Sequence, residues 1–254
     1  EEVAAPHGYV LNDNYVEVKV DTDTFYEVDP DTYEAIITVE YEDAPAVGQL
    51  VIEKKGETLD SYKGGLFADS EEKEFVYVEG SLAGAKFEIY AAEDIYTADM
   101  QTDENGNRNK YYSAGDLVTT VVTGEDGKAT VSDLPLGKYR VVEVEAPYGY
   151  VLNAEEQFVT FVYVDDKTPV IQESITFAND RQKLDLSVIK KDAEDETPIA
   201  GAVFGLYAYE DIVNAEGKVI VEAGTLLEVA TSDANGAIQF VKDYPFGKYS
   251  AKEI

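Results

Sequence analysis

Three residues in this sequence stand where their chemistry is unwelcome. Lys54 follows Leu50 and Ile52 at alternate positions, Glu143 follows Tyr139 and Val141, and Asn179 follows Ile175 and Phe177. Side chains of an extended strand alternate between its two faces, so each polar group is predicted on an apolar face. A dry setting pushes a lysine toward its neutral amine and a glutamate toward its neutral acid. The amine is then a nucleophile, and the acid can polarise an amide carbonyl and shuttle protons. Attack of the Lys54 amine on the Asn179 side-chain carbonyl would expel ammonia and leave an isopeptide bond, with Glu143 as acid/base. With Asp in the Asn place the leaving group is water. The reaction needs no cofactor and no metal and turns over once, so no enzyme with an outside substrate is expected. The alternative is an ordinary Lys54–Glu143 ion pair, with Asn179 ending its strand.

The placement recurs, which weighs against that alternative. Ala5-Pro6, Gly8-Tyr9 and Val10-Leu11-Asn12 repeat Ala146-Pro147, Gly149-Tyr150 and Val151-Leu152-Asn153, so Glu2 falls where Glu143 falls. Asp43-Ala44-Pro45 aligns with Asn179-Asp180-Arg181. Further on, Pro198 to Ile212 matches Ser81 to Ile95, and Pro245 to Tyr249 matches Pro135 to Tyr139. Lys190 and Glu253 then stand where Lys54 and Glu143 stand. Repetition at this period indicates tandem domains. Residues 47–182 read as one complete unit. Residues 1–46 read as the C-terminal half of a unit and 183–254 as the N-terminal part of another, a window on a longer repetitive chain.

The elements that must hold these residues read as strands. Val16 to Val20, Ala35 to Asp43, Gln49 to Lys55, Ser113 to Val122, Ala129 to Val131, Tyr139 to Val144, Gln157 to Val164 and Val170 to Asn179 have strand character, punctuated by Pro and Gly turns such as Glu125-Asp126-Gly127. Ala91 to Ala98 has room for a turn of helix. Residues 56–80 read as a polar, acidic insertion with strand character at Phe75 to Val78. It leaves Lys54 and Lys55 both open as the nucleophile, with parity favouring Lys54. The fold class is all-β, a series of small antiparallel sandwiches.

Composition sets limits. With 52 acidic against 20 basic residues the formal charge is -32, which repels nucleic acid and anionic membranes. The chain has no cysteine, so neither a disulfide nor a zinc-thiolate site is available. No apolar run is long enough to span a membrane and no leader is evident. His7, the only histidine, lies on a Pro-Gly turn and reads as a solvated turn residue. Asp103 to Asn107 alternates oxygen ligands like the start of a calcium loop, but Arg108 stands where glycine is required. Leu134-Pro135-Leu136-Gly137 reads as a turn rather than a sorting signal.

Taken together, these features resemble the Cna B-type, or SpaA-like, domains of Gram-positive surface adhesins and pilins. The matching residues are Lys54-Lys55-Gly56 and Lys190-Lys191-Asp192, Leu82 to Ala85 and Ile199 to Ala202, the Gly137-Lys138-Tyr139 to Glu143 strand, the Ala146-Pro147 to Tyr150 turn and the closing Phe177-Ala178-Asn179. The resemblance implies prealbumin-like Greek-key β-sandwiches with Lys54 as nucleophile, Glu143 as acid/base and Asn179 as acceptor. It implies equivalent roles for Lys190, Glu253, Glu2 and Asp43. The expected function is the stalk of a cell-surface adhesin or pilus-like protein, extracellular and anchored to the cell wall outside this segment. Its expected partners are neighbouring repeats. One alternative is an adhesive module, binding a host protein or glycan through residues 56–80 or 99–112. Another has the partial units joining chains head to tail.

Overall fold

The computed structural model describes residues 2–19, 27–63 and 73–254. Residues 2–46 contain the short pair β1 (Glu27–Val28) and β2 (Ala35–Ile36). The central region comprises β3 (Val47–Lys63), β4 (Glu74–Ser81), β5 (Lys86–Ala91), β6 (Ile95–Tyr96), β7 (Lys110–Tyr112), β8 (Leu117–Val122), β9 (Lys128–Pro135), β10 (Gly137–Glu145), β11 (Glu156–Phe161) and β12 (Val170–Asn179). Beyond it lie β13 (Leu186–Ile189), β14 (Val203–Ala208), β15 (Ile212–Val213), β16 (Val219–Val221), β17 (Leu226–Thr231), β18 (Ala237–Phe240) and β19 (Tyr249–Glu253). The described residues contain no helix. The fold is all-β.

Two four-stranded sheets make the central sandwich. One runs β11-β10-β5-β8, and the other joins β12, β3 and β4, with β9 also on β3. Their inward faces alternate as the sequence pattern requires, bringing Leu50, Ile52, Phe87, Ile89, Tyr139, Val141, Phe161 and Phe177 into one core. The pairing is antiparallel with one exception: β12 lies parallel to β3, from Val170 beside Val47 to Asn179 beside Gly56. The antiparallel expectation missed this because alternation reports faces, not strand direction.

β3 is longer than expected. Its first half pairs with β9 and β12, and its second half continues through residues 56–63 into an antiparallel ribbon with β4. The described residues of the segment read as a polar insertion are thus largely strand. Its polar residues line an arm that leaves the sandwich, while Phe75, Leu59, Tyr62 and Tyr77 pack into the core formed by Leu206, Leu227, Ile238 and Phe240 of the following segment.

Three other expectations fail. Residues 16–19 form no strand, and Val20 lies outside the described residues. Ala35 to Asp43 is a strand only over Ala35–Ile36; Ile37, Val39 and Tyr41 are exposed, and no described strand runs beside them to take their backbone hydrogen bonds. Ala91 to Ala98 contains the end of β5 and the short β6 in place of a helical turn. Ile95 is drawn into the core, and its pairing with Tyr112 holds the backbone extended.

Candidate functional site

Lys54, Glu143 and Asn179 meet at one end of the central sandwich, and all three are buried, at 0, 1 and 4% exposure. The Lys54 ammonium nitrogen donates to Glu143 Oε2 at 3.0 Å and to Asn179 Oδ1 at 2.5 Å. Asn179 Nδ2 donates to Glu143 Oε1 at 2.9 Å, which closes the triangle. The remaining capacity of Glu143 Oε2 takes the backbone N–H of Asn153 at 3.3 Å. The rings of Phe87 and Phe177, in contact with each other, each stand 5.8 Å from the lysine nitrogen. Burial among these rings pulls the Lys54 amine below its ordinary value, against the opposing pull of the hydrogen bond and charge of Glu143.

Local structure fixes each member. The Lys54 backbone donates to Gly127 O at 2.8 Å and accepts from Leu82 N at 3.0 Å, so the Asp-Gly turn and the Leu-Ala-Gly-Ala segment grip the nucleophile's own peptide. Gly127 has φ of +70°, and a Cβ there would lie 2.9 Å from Lys54 O. Gly56 sits beside Asn179, and a Cβ on it would come within 2.8 Å of the Asn179 carbonyl and 2.6 Å of Leu82. That approach accounts for the glycine two residues after the lysine. Glu143 is the last inward residue of β10 before the register with β5 shifts. Lys55, left open by the sequence, instead reaches Ser81 Oγ at 3.2 Å on the exposed side.

The equivalent positions are partly assembled. Lys190 and Glu253 form an ion pair at 2.9 Å, with side chains 30 and 51% exposed. Lys190 has the same backbone grip, from Gly236 O at 2.7 Å and Ile199 N at 3.1 Å. Glu2 accepts the Asn12 N–H at 3.2 Å as Glu143 accepts that of Asn153, and Asp43 Oδ1 is buried without a hydrogen-bond partner. Among weaker signals, the Asp103 carboxylate is taken up by the N–H groups of Asn105 and Asn107 within its own turn. His7 stacks on Tyr163 with ring centres 4.5 Å apart.

Sequence reasoning missed two sets of residues. Thr123 donates to Leu82 O and accepts from Ala85 N, and Ser232 makes the same pair of bonds to Ile199 O and Ala202 N. The recurrence of a hydroxyl at matched repeat positions was the available signal. Arg181, nearly buried, lies 3.8 Å over the Tyr77 ring and pairs with Asp243 at 2.5 Å. Its partner ring comes from the arm, so nothing local announced it.

The family model described as "SpaA: Prealbumin-like fold domain" matches residues 77–176 and 184–254. The trypsin-resistant surface T6 protein of Streptococcus pyogenes serotype M6 is 33% identical over 75 residues, 29% of this chain and 14% of that protein. The solved structure of the Bacillus anthracis TIE protein aligns over 100% of this chain and 35% of its own length, with TM-score 0.51 and 24% identity. A streptococcal ancillary pilin aligns over 92% of this chain and 63% of its own, with TM-score 0.33 and 21% identity. The chain thus spans a minor part of the first two of these proteins. With a family match over more than half its residues, and strands that form the sandwich such a match requires, the chain belongs to the SpaA prealbumin-like fold domain family.

Proposed function

We propose that this chain is a load-bearing segment of a Gram-positive cell-surface or pilus-like protein, whose central unit staples itself through a Lys54–Asn179 isopeptide bond. The buried triangle of amine, acid and amide carries this reading. A proton passes from the Lys54 ammonium to Glu143, leaving a neutral amine beside a neutral acid. The amine nitrogen then bonds to the Asn179 side-chain carbon, and Glu143 lends its proton while the tetrahedral centre forms. As the carbon–nitrogen bond to Nδ2 breaks, one proton from the amine leaves with that nitrogen as ammonia. The other proton stays on the new amide, and Glu143 ends as it began the attack, protonated. Holding the groups in contact removes the entropy cost of bringing them together, and the dry site strengthens each electrostatic interaction.

The topology gives the bond a mechanical role. The chain enters the central unit at Val47 and leaves after Asn179, at opposite ends of the parallel pair β3 and β12. Tension on the two ends would shear that pair. A bond from Lys54 to Asn179 carries the load directly across, and the strands between these residues are spared. In a chain without cysteine it stands in for a disulfide. We assign units at 1–46, 47–182 and 183–254, an extracellular location, and neighbouring units as the principal partners. The T6 protein is named as a surface protein, which supports the location. The self-reaction makes the chain a single-turnover substrate of its own chemistry.

Intact-mass measurement tests the reading. The expected result is a mass lower than the sequence mass by one ammonia, with a Lys54–Asn179 branched peptide in the tandem spectrum. A full sequence mass for folded protein overturns it.

A further inference from the structure

The arm formed by the second half of β3 and by β4 seats on one end of the following segment. Leu59 O accepts from Ala215 N at 3.3 Å, and Asn214 Nδ2 reaches Asp60 O at 3.4 Å. Tyr77 donates to Asp243 O at 3.1 Å and lies under Arg181. Phe75 is buried, with its ring 6.1 Å from that of Tyr244.

The repeat places the matching end of the central sandwich at known residues. Ile95-Tyr96-Thr97-Ala98 corresponds to Ile212-Val213-Asn214-Ala215, and Asp133-Leu134-Pro135 corresponds to Asp243-Tyr244-Pro245. Pro45 corresponds to Arg181, since it bridges Tyr9 as Arg181 bridges Tyr150. At that end there is an open, mainly apolar cleft of about 330 Å³, whose lining includes Pro45, Thr97, Ala98 and Asp133. These four are the counterparts of Arg181, Asn214, Ala215 and Asp243, which are among the residues that meet the arm. Met100 and Tyr111, also in the lining, are 64 and 46% exposed. Ile220, which stands where Tyr111 stands, is instead packed against the core that the arm completes.

We propose that this cleft is a docking site for an aromatic β-ribbon of the kind formed by residues 57–63 and 74–79, presented by a preceding unit of the same repeat. Each unit would then be gripped by the arm of the one before it, and the stalk would resist bending at every junction. Apolar side chains left open beside a concave surface mark an interaction site. Here the seated arm one repeat further on identifies the occupant. The proposal rests on the tandem reading above but not on the isopeptide bond, so a full-mass protein would leave it standing.

The test duplicates the central unit within the full chain, as residues 1–182 followed by residues 47–254. The absence of native cysteine makes engineered pairs unambiguous. Leu59→Cys in the upstream copy and Ala98→Cys in the downstream copy form the test pair. Leu59→Cys in the downstream copy with Ala215→Cys is the reference, because that contact is present in the structure. With a short bis-maleimide, the test pair should link at a rate comparable to the reference and roughly tenfold or more above Leu59→Cys paired with Thr120→Cys on an outer strand. In the undivided 254-residue chain, a fluorescein-labelled peptide of residues 57–79 should bind saturably, and Ala98→Arg should abolish that binding. Linking no faster than the Thr120 pair overturns the proposal. So does peptide binding that Ala98→Arg leaves intact.

Discussion

The sites at Lys54 and Lys190 share a local design and differ in their surroundings. Both lysines have their peptide held by a glycine carbonyl from an Asp-Gly or Asn-Gly turn and by the N–H of a Leu/Ile-Ala-Gly-Ala segment. Both pair with a glutamate at 2.9 to 3.0 Å. Yet the central pair has no exposed side-chain surface, while Lys190 and Glu253 keep 30 and 51%. Around Lys54 the closing strand β12 supplies Phe177 and Asn179; residues 183–254 contain no counterpart of that strand. Aim is therefore a local property of the repeat, and dryness is conferred by the strand that closes the sandwich. At Lys54 the depressed amine and the amide acceptor that the proposed cross-link needs stand together.

This contrast can be broken most sharply at the acceptor. Asn179→Ala removes the acceptor of the proposed bond, and should cost about 5 kcal/mol of stability if the closed loop acts as a disulfide loop does. Lys190→Ala, which removes a solvent-exposed pair, should cost no more than about 1 kcal/mol. Chemical denaturation of the two variants checks the ratio. Next in size, Glu143→Gln keeps a side chain of the same shape but loses the proton shuttle. Cross-linking followed by mass after refolding should slow by about 100-fold or more. Gly56→Ala should then cost about 1–3 kcal/mol, because a methyl would press on Leu82 and on the Asn179 carbonyl. The corresponding position of the third segment is Asp192, so that end tolerates a side chain.

The smallest effect is in pH. In Asn179→Ala the lysine still titrates, and burial lowers it from 10.5 in the folded chain. Between the lowered value and 10.5 the unfolded chain binds more protons, so unfolding free energy should rise with pH across that window and fall as pH drops through it. Above about pH 10 the slope should reverse, because burial pushes the Tyr139 phenol upward from its ordinary 10.0. With the proposed cross-link formed, the parent has no Lys54 amine to titrate and should lack the rising limb.

Much of the site was legible because strand parity is a local rule. Leu50, Ile52 and Lys54 share a face whatever the strand pairs with, and so do Tyr139, Val141 and Glu143. The repeats extended that logic to Lys190 and Glu253. Less legible were elements whose state depends on a partner. Ala35 to Asp43 alternates as well as β10 does, but alternation without a neighbouring strand leaves backbone groups to water, and only two of its residues pair. The arm shows the converse. Its acidic composition read as a polar insertion with strand character only at Phe75 to Val78, yet the Lys63-side half of β3 is held extended by β4 and by a core that belongs to the next segment.

What the sequence alone determined, then, is which side chains face inward, which turns end the strands, and which motif set recurs along the chain. These follow from a two-residue period and from steric limits at glycine and proline, both of which act between near neighbours. Tertiary structure alone decided three further matters. It set β12 parallel to β3, so that Asn179 meets Lys54 across a strand pair. It sealed the Lys54 site by laying β12 along β3. It carried Phe75 and Tyr77 into a foreign core, beside Arg181. Each depends on which surface is buried against which, a choice governed by apolar area and shape across distant parts of the chain, and local sequence does not encode that choice.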